Sequence, residues 1–150
     1  MTATAHALVG GAIAAAIPNP AIAIPLALAS HPVLDMIPHW DFGIGWRGKN
    51  KVTLFAESVL DLVVGILLAF FIFGKGVDPI YLLSCIFFSE IWDILMMPYL
   101  LFNWKFPPFS TAYQFQHKIQ KHAKLTSLPW GILTQAITVT GVVFALRFVH

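Results

Sequence analysis

Residues 52–73 read VTLFAESVLDLVVGILLAFFIF, an apolar run that contains only two charged side chains, Glu57 and Asp61. A helix needs about 20 apolar residues to cross the hydrocarbon core of a bilayer. The run is therefore long enough to span a membrane as one helix. Charged side chains inside such a helix are costly and are usually paired or functional, so these two carboxylates are candidates for a site.

Four further apolar segments accompany this run. Residues 79–102 and 128–149 are also long enough to cross a membrane. Residues 4–17 and 21–37 are shorter, and the break at Pro18-Asn19-Pro20 between them predicts a tight helical hairpin. The sequence thus predicts an all-α integral membrane bundle of about five helices, the first two short and paired, in one domain over residues 1–150. The first helix carries small residues that allow close packing: Gly10, Gly11, Ala14 and Ala15.

The composition excludes several classes of protein. Hydrophobic residues make up 58% of the chain and charged residues only 11%, against roughly 25% charged in soluble domains. A net charge of +2 and the lack of a basic stripe argue against nucleic-acid binding. With Cys85 as the single cysteine, neither an internal disulfide nor a cysteine-based metal site can form. Serine-hydrolase, Walker and Rossmann motifs are missing from the sequence.

The basic residues predict an orientation in the membrane. If the hairpin enters and returns, the connections at 40–51 and 103–125 lie on one side and the connection at 74–78 lies on the other with the C-terminus. By the positive-inside rule the first side, which holds most of the lysines and arginines, is cytoplasmic. The first side holds Arg47, Lys49, Lys51, Lys105, Lys118, Lys121 and Lys124, and the second holds Lys75 and Arg147.

A regularly spaced motif occupies the end of the second segment. In SHPVLDMIPHWD, residues 30–41, His31, Asp35 and His39 recur at every fourth position. Side chains four apart share a helix face, so His31 and Asp35 lie together, and His39 falls just beyond the break at Pro38. This spacing suits neighbouring metal ligands.

Other acids and histidines fall at the same predicted depth, on the cytoplasmic side. Glu57 and Asp61 are four apart in the third segment, and Glu90 and Asp93 are three apart in the fourth. Like charges at these spacings repel and pay for desolvation, so a cation must lie between them or some must be protonated. The candidate metal ligands are His6, His31, Asp35, His39, Asp61, Asp93 and His117, and the candidate catalytic proton acceptors are Glu57 and Glu90.

Each candidate also has a structural interpretation. His6 taken alone is typical of an interfacial residue, and His31 with Asp35 can simply staple the second helix. Glu57 and Asp61 can be neutralised by the basic residues just before them, Arg47, Lys49 and Lys51. Glu90 with Asp93 can form a proton or ion relay. Asp41 and His122 are interpreted as solvated loop residues.

Three motifs together resemble a known family. They are TAHALVGGA in the first helix, SHPVLDMIPHWD, and QHKIQKH at residues 116–122, accompanied by the carboxylates of the third and fourth segments. The chain resembles the small membrane-bound metal-dependent hydrolases of the YdjM-like type, a group thought to be remotely related to zinc-dependent phospholipase C and the S1/P1 nucleases. The resemblance implies metal ligands in three groups: His31 with Asp35, His39 with Asp61, and Asp93 with His117.

The sequence departs from those soluble enzymes in three respects. The pair Asp93 and His117 follows the His31 pair instead of preceding it. Glu57 stands where a histidine is expected before the carboxylate of the third segment. The amino terminus, a metal ligand in the soluble phospholipases, has no evident counterpart at Met1.

The leading hypothesis is therefore a metal-dependent membrane hydrolase acting on a phosphoester at the cytoplasmic interface, with a phospholipid among the candidate substrates. Nitrogen and oxygen ligands without thiolate suit zinc, iron or manganese, and the number of histidines favours zinc. One alternative is a metal-binding or ion-transporting membrane protein, which would form a pore only as an oligomer. A second is a non-enzymatic membrane protein that binds partners or serves as structure.

Overall fold

The computed structural model describes residues 1–122, 127–146 and 148, and within them the chain is helical with no β-strand. Two 3₁₀ turns, Trp46–Gly48 and Gln120–His122, accompany the α-helices. Lys124, Arg147 and the end of the predicted fifth segment lie outside the described residues, as does the side chain of His122. The described α-helices are α1 (Ala3–Ala16), α2 (Pro20–Asp35), α3 (Lys51–Phe73), α4 (Pro79–Phe102), α5 (Phe109–Ile119) and α6 (Leu128–Leu146).

Three helices, α3, α4 and α6, are long and apolar enough to cross a membrane. At 1.5 Å per residue, the 23 residues of α3 extend roughly 35 Å, whereas the 14 residues of α1 extend roughly 21 Å. α1 and α2 are joined by a short turn and pack against each other, as the predicted hairpin requires. The fold is thus a bundle of membrane-spanning length with a shorter hairpin inside it.

α1 is the centre of the bundle. It packs against α2, α3, α4 and α6, and most of its residues are buried. The predicted close approach is confirmed at Gly10, where an added Cβ would lie 2.6 Å from Ser89 Oγ and 2.9 Å from the Cys85 carbonyl oxygen. On α3, a Cβ added to Gly65 would lie 2.7 Å from Thr4 Cα. Glycine at these positions lets backbones approach as they do in membrane helix pairs.

The number of helices is the main difference from the sequence prediction. The connection at 103–125 was expected to be a loop, but it contains α5. Polar residues dominate this helix, so a search for apolar runs does not reveal it. Its buried residues Ala112, Tyr113 and Gln116, with Gln120 just beyond its end, recur one helical turn apart along one face. The expectation that this connection, including His117, has no helix is therefore wrong, because His117 lies on α5.

Two prolines shape α2 near the motif of histidines and aspartate. Pro32 has no amide hydrogen, so it cannot donate to the carbonyl of Leu28 one turn earlier. The Trp92 indole of α4 donates to that carbonyl instead, at 3.3 Å. Pro38 disfavours helical geometry at the residue before it, and α2 ends at Asp35 rather than at residue 37. The side chain of Asp35 thus stands at the very end of a helix.

We expect Gly65→Ala to lower the free energy of unfolding by about 1–3 kcal/mol, because the new methyl group meets the backbone of α1. Gly141→Ala on α6 is the matched control, since nothing lies within 4 Å of its added Cβ. Thermal unfolding of the two variants in detergent measures the difference. Equal midpoints for Gly65→Ala and Gly141→Ala would contradict the close packing of α1 on α3.

Candidate metal centre

Three buried histidines surround the carboxylate of Asp35, whose side chain is 1% exposed. His6 of α1 places Nε2 3.1 Å from Asp35 Oδ1. His31 of α2 places Nε2 3.3 Å from Oδ2, and His39, beyond the end of α2, places Nε2 3.8 Å from Oδ1. Four of the predicted ligands, His6, His31, Asp35 and His39, thus lie together, whereas the implied pairing of His39 with Asp61 is not among their contacts. Asp35 is the residue that all three imidazoles share.

Backbone carbonyls fix the orientation of two of these imidazoles. His31 Nδ1 donates to the Ser89 carbonyl at 2.5 Å, and His39 Nδ1 donates to the Ile37 carbonyl at 2.7 Å. Because a carbonyl only accepts, each Nδ1 must carry the hydrogen, and in the neutral ring Nε2 then holds a lone pair. Metal-ligating histidines are typically held in this way. His31 and His39 are therefore prepared to bind a cation through Nε2.

Both Nε2 atoms are buried without a hydrogen-bond partner, although carboxylates lie close to them. His31 Nε2 is 3.5 Å from Asp93 Oδ1, and His39 Nε2 is 3.3 Å from Asp41 Oδ2. Two ligands that each lie 2.0–2.2 Å from a tetrahedral ion are about 3.4 Å apart. The spacing of these atoms fits ligands of a shared metal, and it also fits an ion pair with a protonated imidazole.

One group of three residues has the geometry of a metal site within the described part of the chain. His6, His31 and Asp93 each offer a ligand atom, and these atoms all lie within 4.8 Å of one another. The rings of His6 and His31 are stacked, with centroids 3.7 Å apart. All three residues were predicted as ligands. The structure shows that they could hold an ion together, and the identity of that ion stays a prediction.

Asp35 has further partners that the sequence prediction missed. Gln116 of α5 and Gln120, the first residue after α5, donate to its Oδ2 at 3.0 and 2.6 Å. The amino nitrogen of Met1 lies against its Oδ1. The expectation that the amino terminus has no counterpart at Met1 is therefore wrong, because the amino nitrogen of Met1 contacts Asp35. The signal for the glutamines was their spacing of four, which becomes visible only once α5 is known to be a helix.

α6 positions the segment that carries His39. Thr134 Oγ1 donates to the Pro38 carbonyl at 2.6 Å, and Gln135 Nε2 donates to the Trp40 carbonyl at 2.7 Å. Gly131 lets this segment approach so closely that an added Cβ would lie 2.3 Å from Trp40 Cβ. His39 is thereby held between two anchored neighbours. Helix α6 thus acts as a brace for the cluster.

Two predicted site residues have other partners. Asp61 Oδ2 accepts from the Ala3 amide at 2.6 Å, and its Oδ1 accepts from Thr4 Oγ1 at 2.7 Å, so Asp61 caps the start of α1. Glu57 forms an ion pair with Lys49 at 2.6 Å, which is the neutralised arrangement considered for it above. Neither contact brings the carboxylate to the cluster formed by Asp35 and its three histidines. Their assignments as metal ligand and catalytic base stay predictions.

A cavity of about 330 Å³ lies beside the cluster of Asp35 and its three histidines. Asp41, Asp61, Glu90, Asp93 and His117 all line it. Glu90 is buried, and its Oε1 has no hydrogen-bond partner. Asp41 was expected to be a solvated loop residue, and this interpretation is wrong, because its carboxylate lies beside His39 and faces the cavity. The cavity therefore brings predicted ligands and a predicted base to one space.

Comparison with known proteins does not assign the chain to a family. No protein-family model matches it, and no curated protein or solved structure shows significant similarity to it. The resemblance to the YdjM-like hydrolases therefore stays a prediction. The case for a function rests on the geometry of the described residues.

The two glutamines that donate to Asp35 provide a test of how this carboxylate is positioned. Gln120→Leu removes a donor that orients Asp35, and we expect it to weaken zinc or manganese binding about 10–100-fold. Gln114→Leu is the matched control, because Gln114 is exposed on the same helix. Metal titration of the detergent-solubilised variants measures the effect. Unchanged affinity in Gln120→Leu would show that α5 does not position the metal ligand.

Proposed function

We propose that this chain is a metal-dependent membrane hydrolase that acts on a phosphoester. The observation that carries the proposal is the orientation of the His31 imidazole. Its Nδ1 is tied to the Ser89 carbonyl, and its Nε2 faces the carboxylates of Asp35 and Asp93 without a hydrogen-bond partner. A lone pair facing two carboxylates is repelled unless the imidazole is protonated or a metal cation lies between them, and the proposal takes the second case. The resemblance to the YdjM-like hydrolases points to the same ligands.

The donor set fits a borderline divalent metal. His6, His31, His39, Asp35 and Asp93 supply nitrogen and oxygen atoms and no thiolate, which suits zinc, manganese or iron, with zinc as the first choice. Such a metal activates water for attack and stabilises negative charge on phosphoryl oxygens. The glutamines donate to Oδ2 of Asp35, which also faces His31, and Oδ1 faces His6 and His39.

Glu90 is the better candidate for the proton acceptor. It lines the cavity together with Asp93, and its Oε1 has no hydrogen-bond partner. Glu57 does not line the cavity and is paired with Lys49. A carboxylate that is free of strong partners and close to the substrate can take a proton from attacking water. We therefore assign the role of general base to Glu90.

The packing below the cluster favours a hydrolase over an ion pathway. An ion pathway across the membrane needs polar groups from one side to the other. The buried residues further along α1 and α4 are apolar, including Val9, Ile13, Leu82 and Ile86. A site of this kind is reached from one side, which suits a substrate that binds and leaves through the same opening. The basic residues of the adjacent connections support the cytoplasm as that side.

The proposal predicts turnover that depends on metal and on Glu90. With bis(p-nitrophenyl) phosphate as the probe, the zinc-loaded or manganese-loaded protein should hydrolyse the phosphodiester, and a chelator should abolish this activity. Glu90→Gln should lower kcat about 10²–10⁴-fold, because the general base is lost, while the metal content stays the same. Release of nitrophenolate, measured beside metal content, provides both readouts.

Glu57→Gln distinguishes the two candidate bases. If Glu90 is the base, Glu57→Gln should keep most of the wild-type kcat, since Glu57 is held by Lys49 away from the cavity. The opposite result, with a large loss only in Glu57→Gln, would transfer the role to Glu57. No turnover by the metal-loaded wild-type protein, on this probe or on phospholipid, would contradict the hydrolase proposal itself.

A further inference from the structure

The cavity beside the metal centre lies next to the amino-terminal end of α1. α1 packs between α3 and α4, which otherwise touch each other little. It begins at Ala3, and the Ala3 amide donates to Asp61 on the third turn of α3. Above that level, within the described residues, a cavity separates the first turns of α3 from the last turns of α4, and Tyr113 and His117 of α5 also line it. We call this space the α3–α4 cleft; Leu54 and Leu100 lie at its far end.

The two ends of the α3–α4 cleft differ in chemistry. At the end nearest α1 stand Asp61, Glu90 and Asp93, beside the metal centre. Apart from Ser58, the side chains that line the rest of the cleft on both helices are apolar, over about 8–9 Å along the helix axes. They include Leu54, Phe55, Val59, Ile94, Met97 and Leu100. A ligand that fills the cleft must therefore be polar at one end and apolar along its length.

The openings of the cleft show where each end of such a ligand would lie. Phe55, Val59 and Ile94 line the cleft and are also exposed on the outside of the bundle, at 52%, 41% and 39%. They lie on helices of membrane-spanning length, so this opening faces lipid chains. The cleft also reaches exposed His117, which shares a smaller pocket with Arg47 of the polar connection. One opening is thus apolar and the other is polar.

We infer that the α3–α4 cleft binds an acyl chain of a membrane phospholipid, with the phosphoester at the Asp93 end and the chain leaving between Phe55, Val59 and Ile94. This inference rests on the proposed function and specifies its substrate class. The volume of about 330 Å³ is at the lower end of the range for small-molecule sites, so it holds part of one chain and not a whole lipid. The remainder of the molecule stays in the bilayer.

The arrangement also explains how a substrate of the bilayer reaches a recessed site. Asp93 is nine residues from the end of α4, which is roughly 14 Å below it. A phosphoester held at the end of a chain that enters sideways reaches this depth without extraction of the lipid. At the polar opening, the guanidinium of Arg47 donates to the Tyr113 hydroxyl at 3.0 Å.

Photo-crosslinking tests the inference without requiring turnover. The metal-loaded full chain is placed in phosphatidylcholine vesicles with a trace of phosphatidylcholine that carries a diazirine in its acyl chain, and labelled residues are identified by mass spectrometry. We expect more label at Phe55 and Ile94 than at Leu60, which is 66% exposed on α3 but does not line the cleft. Val59→Trp should reduce the label inside the cleft about 10-fold by filling its opening.

Leu60→Trp is the matched control, because it adds the same side chain at the same depth outside the cleft. It should leave the labelling pattern unchanged. Equal labelling at Phe55, Ile94 and Leu60 that Val59→Trp does not alter would overturn the inference, even if the protein hydrolyses the soluble phosphodiester. Labelling concentrated in the cleft without any phosphoester turnover would support the lipid site and reject the hydrolase.

Discussion

The buried carboxylate of Asp35 is the constraint on which the site depends, because a charge removed from water is costly unless partners compensate it. Three imidazoles, two glutamine amides and the amino nitrogen of Met1 all lie within reach of its two oxygens. These partners come from four separate parts of the chain. Packing of the helices therefore assembles the cluster. The contacts with Asp35 help to fix the helix ends that carry these partners.

The shape of the bundle and the location of the chemistry have one common cause. α1 carries His6 into the centre and is too short to fill the space between α3 and α4 along their whole length. Its first amides are capped by Asp61, which fixes the level at which the space opens. The metal centre therefore lies at the bottom of a cleft whose walls are membrane-spanning helices.

The sequence was a good guide to whatever depends on local pattern. The length of the apolar runs predicted α3 and α4. The spacing of four between His31, Asp35 and His39 predicted the core of the cluster. It was a poor guide to what depends on tertiary contact. Gln116 and Gln120 were missed because α5 is polar. For Glu57, the local charges allowed either a catalytic base or an ion pair with a nearby basic residue, and the structure has the pair with Lys49. The roles of Asp41 and Asp61 likewise depend on neighbours distant in sequence.

The central claim is that the cluster around Asp35 binds a metal, and elemental analysis tests it most directly. Wild-type protein and Asp35→Ala would be purified in the same detergent, freed of adventitious metal and reloaded. The metal-centre interpretation predicts zinc, manganese or iron at a stoichiometric level in the wild-type protein and its loss in monodisperse Asp35→Ala. Wild-type protein without bound metal, or full metal content in Asp35→Ala, would contradict it.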